Sequence, residues 1–272
     1  MMAAIADMSA RPGHGTGVAS VVLVNNVSVE PFRLLAPAFG VTVRRDFPPS
    51  EAWALAAGGA ADLAVVPVVK LPDVARVMEP IGDFGVACRG PVGSVLLFGT
   101  ASLADLVRRR LPIHLTTQSE TPRRLLCLLC WREFGIEPVL CAEASKAAAW
   151  LCIGDEALRR RQDTGRPPVV VDLCEWWEQQ TQQPFVFARW MVRRTATAAF
   201  KELAAHWLDN CADAARTAAG RKTMATRTVQ SGLFAAHDAA SAYFDRIRSR
   251  FGADDKGGEA LFLSELARCH AQ

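Results

Sequence analysis

No stretch of the 272-residue sequence holds the roughly 18 consecutive apolar residues that a membrane-spanning helix requires, so a transmembrane protein is not expected. A marked excess of either sign of charge is missing too. The net charge is +3 and the isoelectric point near 8.5, without the concentrated basic stripe that nucleic-acid binding demands. This mild balance suits a small anionic ligand. The first 20 residues, MMAAIADMSARPGHGTGVAS, have no basic residue ahead of their only apolar run, and Asp7 interrupts that run, so a signal peptide's order of charges is missing. The expectation is a cytoplasmic protein whose eight cysteines are reduced, although a processed exported chain would read the same way.

Metal-ligand spacing is also lacking. His14, His114, His206, His237 and His270 are scattered, and the CxxC of Cys127 and Cys130 has no second pair to complete a zinc site. That CxxC sits among leucines in LLCLLCW, mid-helix, whereas a redox pair opens a helix that stabilises its thiolate; both are expected to be buried structural cysteines. The glycines of GHGTG at 13–17 precede a strand instead of following one, so they fail the context test for a dinucleotide loop. The arginine runs at 108–110, 159–161 and 193–194 read as helix-end cations or solvated faces. Of the adjacent Trp176 and Trp177, only one is expected to point firmly inward.

What is present is apolar, in short alternating segments. Half the residues are hydrophobic and 22% charged, enough for two α/β lobes. Residues 1–18 read as a disordered leader. SVVLVNN (20–26) reads as a buried strand, Pro31 to Phe39 as a helix, VTVRRDF as a strand, SEAWALAAGG as a helix capped by Ser50, and ADLAVVPV as a strand. GSVLLFG (93–99) and ASLADLVRRR follow. PIHLTT then opens a second series, with Thr121 as N-cap and Pro122 at the first helical position before RRLLCLLCWREFG. PVLCAE, AAWLCIGD with EALRRR, VVVDL with CEWWEQQT, and PFVFARWMV complete it. From Thr195 onward, Ala- and Arg-rich helices broken near Gly220 and at Gly257 and Gly258 read as closing the first lobe. The pattern predicts parallel-rich sheets flanked by helices: lobe I at 19–99 plus 189–272, lobe II at 100–188, GSVLLFG crossing out and PFVFARW back. The ligand cleft would lie between the lobes.

Several phrases carry a family resemblance over roughly residues 20–195. CRGPVGSVLLFG, SETPRRLL, WLCIGDEAL and VDLCEWWEQQTQQPFVFARW resemble, in order and spacing, the chorismate dehydratases of the futalosine route to menaquinone, and VNNVSVEPF resembles that family's first ligand loop. The resemblance implies a two-lobed fold of the type 2 periplasmic-binding-protein kind, used as a lyase. It also implies loss of water from chorismate, a dicarboxylate, to give 3-[(1-carboxyvinyl)oxy]benzoate, which needs neither redox cofactor nor metal. The sister naphthoate synthase shares the fold, but its Pro-Asn-Asp opening has no counterpart here. A non-catalytic binding protein with the same lobes and another ligand stands as the alternative.

The resemblance also points to site residues. Ser119 and Thr121, with the free N–H groups of the helix they open, suit a carboxylate. Gly90, Gly93 and Ser94 form a second loop where backbone and hydroxyl approach the ligand. Asn25 begins the first ligand loop, and Ser28 stands where the family has its ligand-facing Asn. Asp155 is either a cleft acid that orients the ligand or assists departure of the hydroxyl, or the cap of EALRRR. The family also suggests the substrate's own enolpyruvyl carboxylate as the ring-proton acceptor. Cys88 and Pro122 each stand where the family often has Ser.

Overall fold

The computed structural model describes residues 19–115 and 120–270; the leader, the GHGTG glycines and Ser119 lie outside them. In chain order the strands are β1 (Ala19–Val24), β2 (Val41–Phe47), β3 (Leu63–Pro67), β4 (Met78–Cys88), β5 (Val95–Gly99), β6 (Ile113–Leu115), β7 (Leu140–Cys141), β8 (Ala149–Ile153), β9 (Val169–Asp172), β10 (Phe185–Arg193) and β11 (Ile247–Arg250). The helices are α1 (Pro49–Ala57), α2 (Leu71–Val74), α3 (Leu103–Arg108), α4 (Glu120–Phe134), α5 (Asp155–Gln162), α6 (Leu173–Thr181), α7 (Ala198–Arg216), α8 (Ala218–Gln230), α9 (His237–Phe244) and α10 (Ala253–His270).

Two mixed sheets result, one per lobe, in the orders β11-β4-β10-β3-β1-β2 and β7-β6-β8-β5-β9. β1 lies parallel between β2 and β3, and β6 parallel between β7 and β8. All of β3 and β5 is buried, because a strand covered on both faces must be apolar throughout. The strands that arrive from the other lobe run against their neighbours. β5 is antiparallel to β8 and β9, and β10 to β3 and β4. The sheets are therefore mixed, not parallel-rich. β5 lies wholly in the second sheet and β10 wholly in the first, so the chain crosses at 89–94 and 182–184, several residues before the boundaries at 99 and 188.

Asp172 fastens the first crossing. Its carboxylate accepts the Gly93 amide at 2.6 Å, and the Cys174 and Glu175 amides at 3.0 and 3.4 Å, capping α6 in the same act. At the second crossing, Pro184 O accepts the Trp177 indole N–H at 3.0 Å. α10 presses on this link so closely that a Cβ on Gly258 would stand 2.1 Å from Pro184 O. Gly257 and Gly258 thus lie inside a continuous helix. Gly220 lies inside α8, the break falling at Thr217, whose hydroxyl caps α8 by accepting the Gly220 amide at 3.0 Å.

The C-terminal helices divide their work. α7 buries Phe200, Ala204, Trp207, Leu208, Cys211 and Ala212 against the first sheet, the stripe expected of an amphipathic helix. α8, α9 and α10 instead share one core with the second lobe. Phe262 of α10 meets Trp177 of α6 at 5.8 Å and Phe185 of β10 at 4.9 Å, and Glu265 pairs with Arg132 of α4 at 2.6 Å. These helices brace both lobes and do not merely close the first.

Other local expectations shift for physical reasons. The segment after β1 forms a 3-10 turn at Val27–Arg33 instead of a helix from Pro31, because Asn26 caps it early by accepting the Ser28 amide. α1 starts at Pro49, preset for the first helical position, so Ser50 lies within the helix and is not its cap. α4 starts at Glu120, which puts Thr121 and Pro122 in its first turn, where a missing N–H breaks no helix bond. β4 and β11 have no counterpart in the predicted elements. Both Trp176 and Trp177 are buried, since α6 is packed on two sides: Trp176 faces Phe134 and donates to Glu133 at 2.6 Å. Arg193 is no solvated cation; it pairs with buried Asp62 at 3.0 Å.

Replacing Asp172 by Ala removes a cap and leaves buried amides without an acceptor. A loss of about 2–4 kcal/mol in unfolding free energy is expected, read from the urea midpoint.

Candidate functional site

The carboxyl ends of β1, β3 and β4 in one lobe face the start of β5 and the end of β8 in the other, and a cleft opens there. It holds about 690 Å³, its solvent-open mouth included. Its walls are apolar: Val24, Val29, Val65, Val86, Val92 and Val95 line it with Ile153, Phe187 and Ile247. Its polar groups are Asn26, Ser28, Ser94, Thr121, Tyr243 and, at the start of α4, Glu120. No Lys, Arg or His is among the described lining residues.

Ser28, Ser94 and Thr121 therefore meet in one chamber, drawn from three separate segments. The Ser28 hydroxyl donates to Asn26 Oδ1 at 2.7 Å. The Thr121 hydroxyl donates to Phe187 O at 3.3 Å, so its proton points at the backbone and not into the cleft. Ser94 Oγ lies 3.2 Å from the Tyr243 hydroxyl, and both residues are buried, at 4% and 3% exposure. Burial, above all, pushes the Tyr243 phenol above its ordinary pKa and keeps it neutral. The first turn of α4, Glu120 to Pro122, lines the cleft, which puts the positive end of its dipole there.

The remaining expected site residues fall elsewhere. Asn25 is exposed and lines a separate polar pocket with Glu30, Arg33 and Asp155; its neighbour Asn26 is the one in the cleft. The Gly93 amide is spent on Asp172, and Gly90 faces Glu178. Neither glycine lines the chamber. Asp155 neither lines it nor caps α5, whose N-cap is Gly154 without a side-chain bond. Its carboxylate crosses between the lobes and accepts the Val27 amide at 2.8 Å. Beside it Gly154, at φ +58°, abuts Asn26 so tightly that a Cβ would stand 2.3 Å from Asn26 Nδ2. This pair of contacts holds the lobes together at one side of the cleft.

Sequence reasoning missed Asn26, Tyr243 and Phe187. Tyr243 belongs to no local motif, being 149 residues from Ser94, but it is the sole tyrosine beside 13 phenylalanines, a lone hydroxyl in an otherwise apolar aromatic set. Cys127 and Cys130 do sit within α4, and burial raises both thiol pKa values, opposite to a redox thiol. Among the described residues no cluster of His, Cys, Asp and Glu could hold a metal.

Two sheets joined by two short crossings around a central cleft define a type 2 periplasmic-binding-protein fold, and solved structures share it. A protein from Archaeoglobus fulgidus superposes with a TM-score of 0.71 at 13% identity, covering 95% of this chain and 99% of its own. The alkanesulfonate-binding protein of Xanthomonas axonopodis pv. citri, bound to MOPS, gives 0.65 at 15% identity and 94% of both chains. The periplasmic aliphatic sulphonate-binding protein of Escherichia coli gives 0.64 at 16%, covering 93% and 91%. Within that fold the chain belongs to the menaquinone biosynthesis family, which it matches over residues 32–268. The match begins at Phe32, near the end of the turn that Asn26 caps and that carries Ser28.

A hydrogen bond to a charged acceptor is worth about 1.5–3 kcal/mol, so Asp155→Ala is expected to speed Val27 amide exchange about 10- to 100-fold. An unchanged rate would mean that the lobes stay shut without this bond.

Proposed function

We propose that the chain is a chorismate dehydratase, eliminating water from chorismate to give 3-[(1-carboxyvinyl)oxy]benzoate, and that it works in the cytoplasm. The observation that carries this reading is the chamber itself: apolar walls that suit a carbocyclic ring, with hydroxyl donors, a helix N-terminus and no Lys, Arg or His among its described lining residues. Membership of the menaquinone biosynthesis family supports it. So does the state of the eight cysteines, all unpaired.

The chemistry asks little of the protein. The electrons of the ring C–H bond become the new ring double bond as the neighbouring C–O bond breaks, and the product is aromatic. Positioning and polarisation then suffice. The substrate's enolpyruvyl carboxylate takes the ring proton and hands it on to the departing hydroxyl, which leaves as water, so the carboxylate is restored and no proton is left over. Ser94 donates toward the departing oxygen, and the first turn of α4 faces a carboxylate. Ser28 is shorter than the Asn of related sequences, but Asn26 supplies a carboxamide in the same loop, its oxygen fixed by the Ser28 amide at 2.9 Å. Asn26 itself lines the cleft, its Nδ2 packed against Gly154.

The test is purified protein with chorismate, following loss of the cyclohexadiene absorbance and the product mass, with Ser28→Asn and Ser94→Ala alongside. A product lighter by one water is expected, with Ser28→Asn active and Ser94→Ala slowed about 100-fold. Binding of chorismate without turnover in any form would sink the lyase reading and leave a two-lobed small-anion binding protein.

A further inference from the structure

Three hydroxyl residues on the main chain's ligand side and one phenol share the chamber, and their protons can be counted. Thr121 spends its proton on Phe187 O and Ser28 spends its own on Asn26 Oδ1. Ser94 and Tyr243 hold two protons between them but make one mutual bond, so one proton is left over. Among the described residues neither hydroxyl has another polar partner. With no Lys, Arg or His among the described lining residues, that proton is the hydroxyl donor available to a substrate oxygen.

We infer that Tyr243 is a positioning residue of this site: it donates its phenol O–H to Ser94 Oγ and so turns the Ser94 proton toward the oxygen that departs from the substrate. Phenol is the stronger acid and the alcohol oxygen the better acceptor, because a phenol lone pair is drawn into its ring. The reverse direction would aim the oxygen lone pairs of Ser94 at an anionic ligand, which is repulsive. A hydroxyl that accepts a hydrogen bond also becomes a better donor, so the relay strengthens Ser94 as charge develops on the leaving oxygen.

The structure holds the phenol for this task. Tyr243 lies in α9, its ring packed at 5.4 Å from Phe234 and 5.3 Å from Phe244, so its hydroxyl has one place to go. It is buried and neutral, and Phe in its place would keep the ring packing and lose the hydroxyl alone.

The inference takes the cleft as the dehydratase's substrate site, and two readouts separate its failure from a failure of that reading. In steady-state turnover of chorismate, Tyr243→Phe is expected to lower kcat about tenfold while KM stays within about threefold. Adding Tyr243→Phe to Ser94→Ala is expected to cost nothing further, since the phenol acts through Ser94. As the only tyrosine, residue 243 also gives a single fluorine NMR resonance when the protein is labelled with 3-fluorotyrosine. That resonance is expected to shift on adding chorismate, and not to shift in Ser94→Ala. Wild-type turnover by Tyr243→Phe, a full further loss in the double variant, or a resonance that moves without Ser94 would each overturn the inference. If the wild type shows no turnover, the dehydratase reading falls, and the resonance still decides: a Ser94-dependent shift upholds the relay and an unmoved signal ends it.

Discussion

The Asp172 carboxylate accepts the Gly93 amide from the loop between the lobes and, through its other oxygen, the Cys174 and Glu175 amides at the start of α6. Burial raises its pKa, and the amides that surround it act the other way, so its charge is tolerated only because backbone donors replace water. Everything at the cleft hangs from this point. Ser94 follows Gly93 directly, and its carbonyl accepts the Gly154 amide at 2.7 Å. The loop that meets Asn26 is thereby set by the same residue that caps a helix on the second lobe. One carboxylate sets the depth of the first crossing, the angle of α6 and the position of a hydroxyl in the chamber.

How much of this is legible in sequence depends on whether the signal is local. The strings at 20–24, 63–67 and 95–99 announce themselves because central strands have no solvent face. β4 stays hidden, its apolar run interrupted by Glu79, Pro80, Gly82 and Asp83, and β11 hides behind Arg248 and Arg250, which pair with Asp255 and Asp209 at a charged sheet edge. The chamber divides the same way. Ser28, Ser94 and Thr121 sit at strand ends and a helix start, places that a sequence marks. Asn26 in place of Asn25 is a matter of one residue of register. Asp155 looked like a cleft acid or a cap because both need only local position, whereas its partner, the Val27 amide, is 128 residues away.

The chamber sets hydroxyls, a carboxamide and the first turn of α4, with Glu120, among apolar walls. With no Lys, Arg or His among the described lining residues, an anion there would be met by amides, hydroxyls and a helix end, each weak in water and stronger where water is excluded. The fold itself says less about ligand, since related folds bind sulfonates and this family serves menaquinone synthesis.

α10 lies across the back of both lobes, with Phe262 wedged between α6 and β10 and Gly258 seated on the second crossing. A hinge with a splint along it opens only as far as the splint flexes. α10 thus ties the two lobes together without lining the cleft between them, and a substitution in residues 253–270 would act on the stiffness of that tie while leaving the chamber's lining as it is.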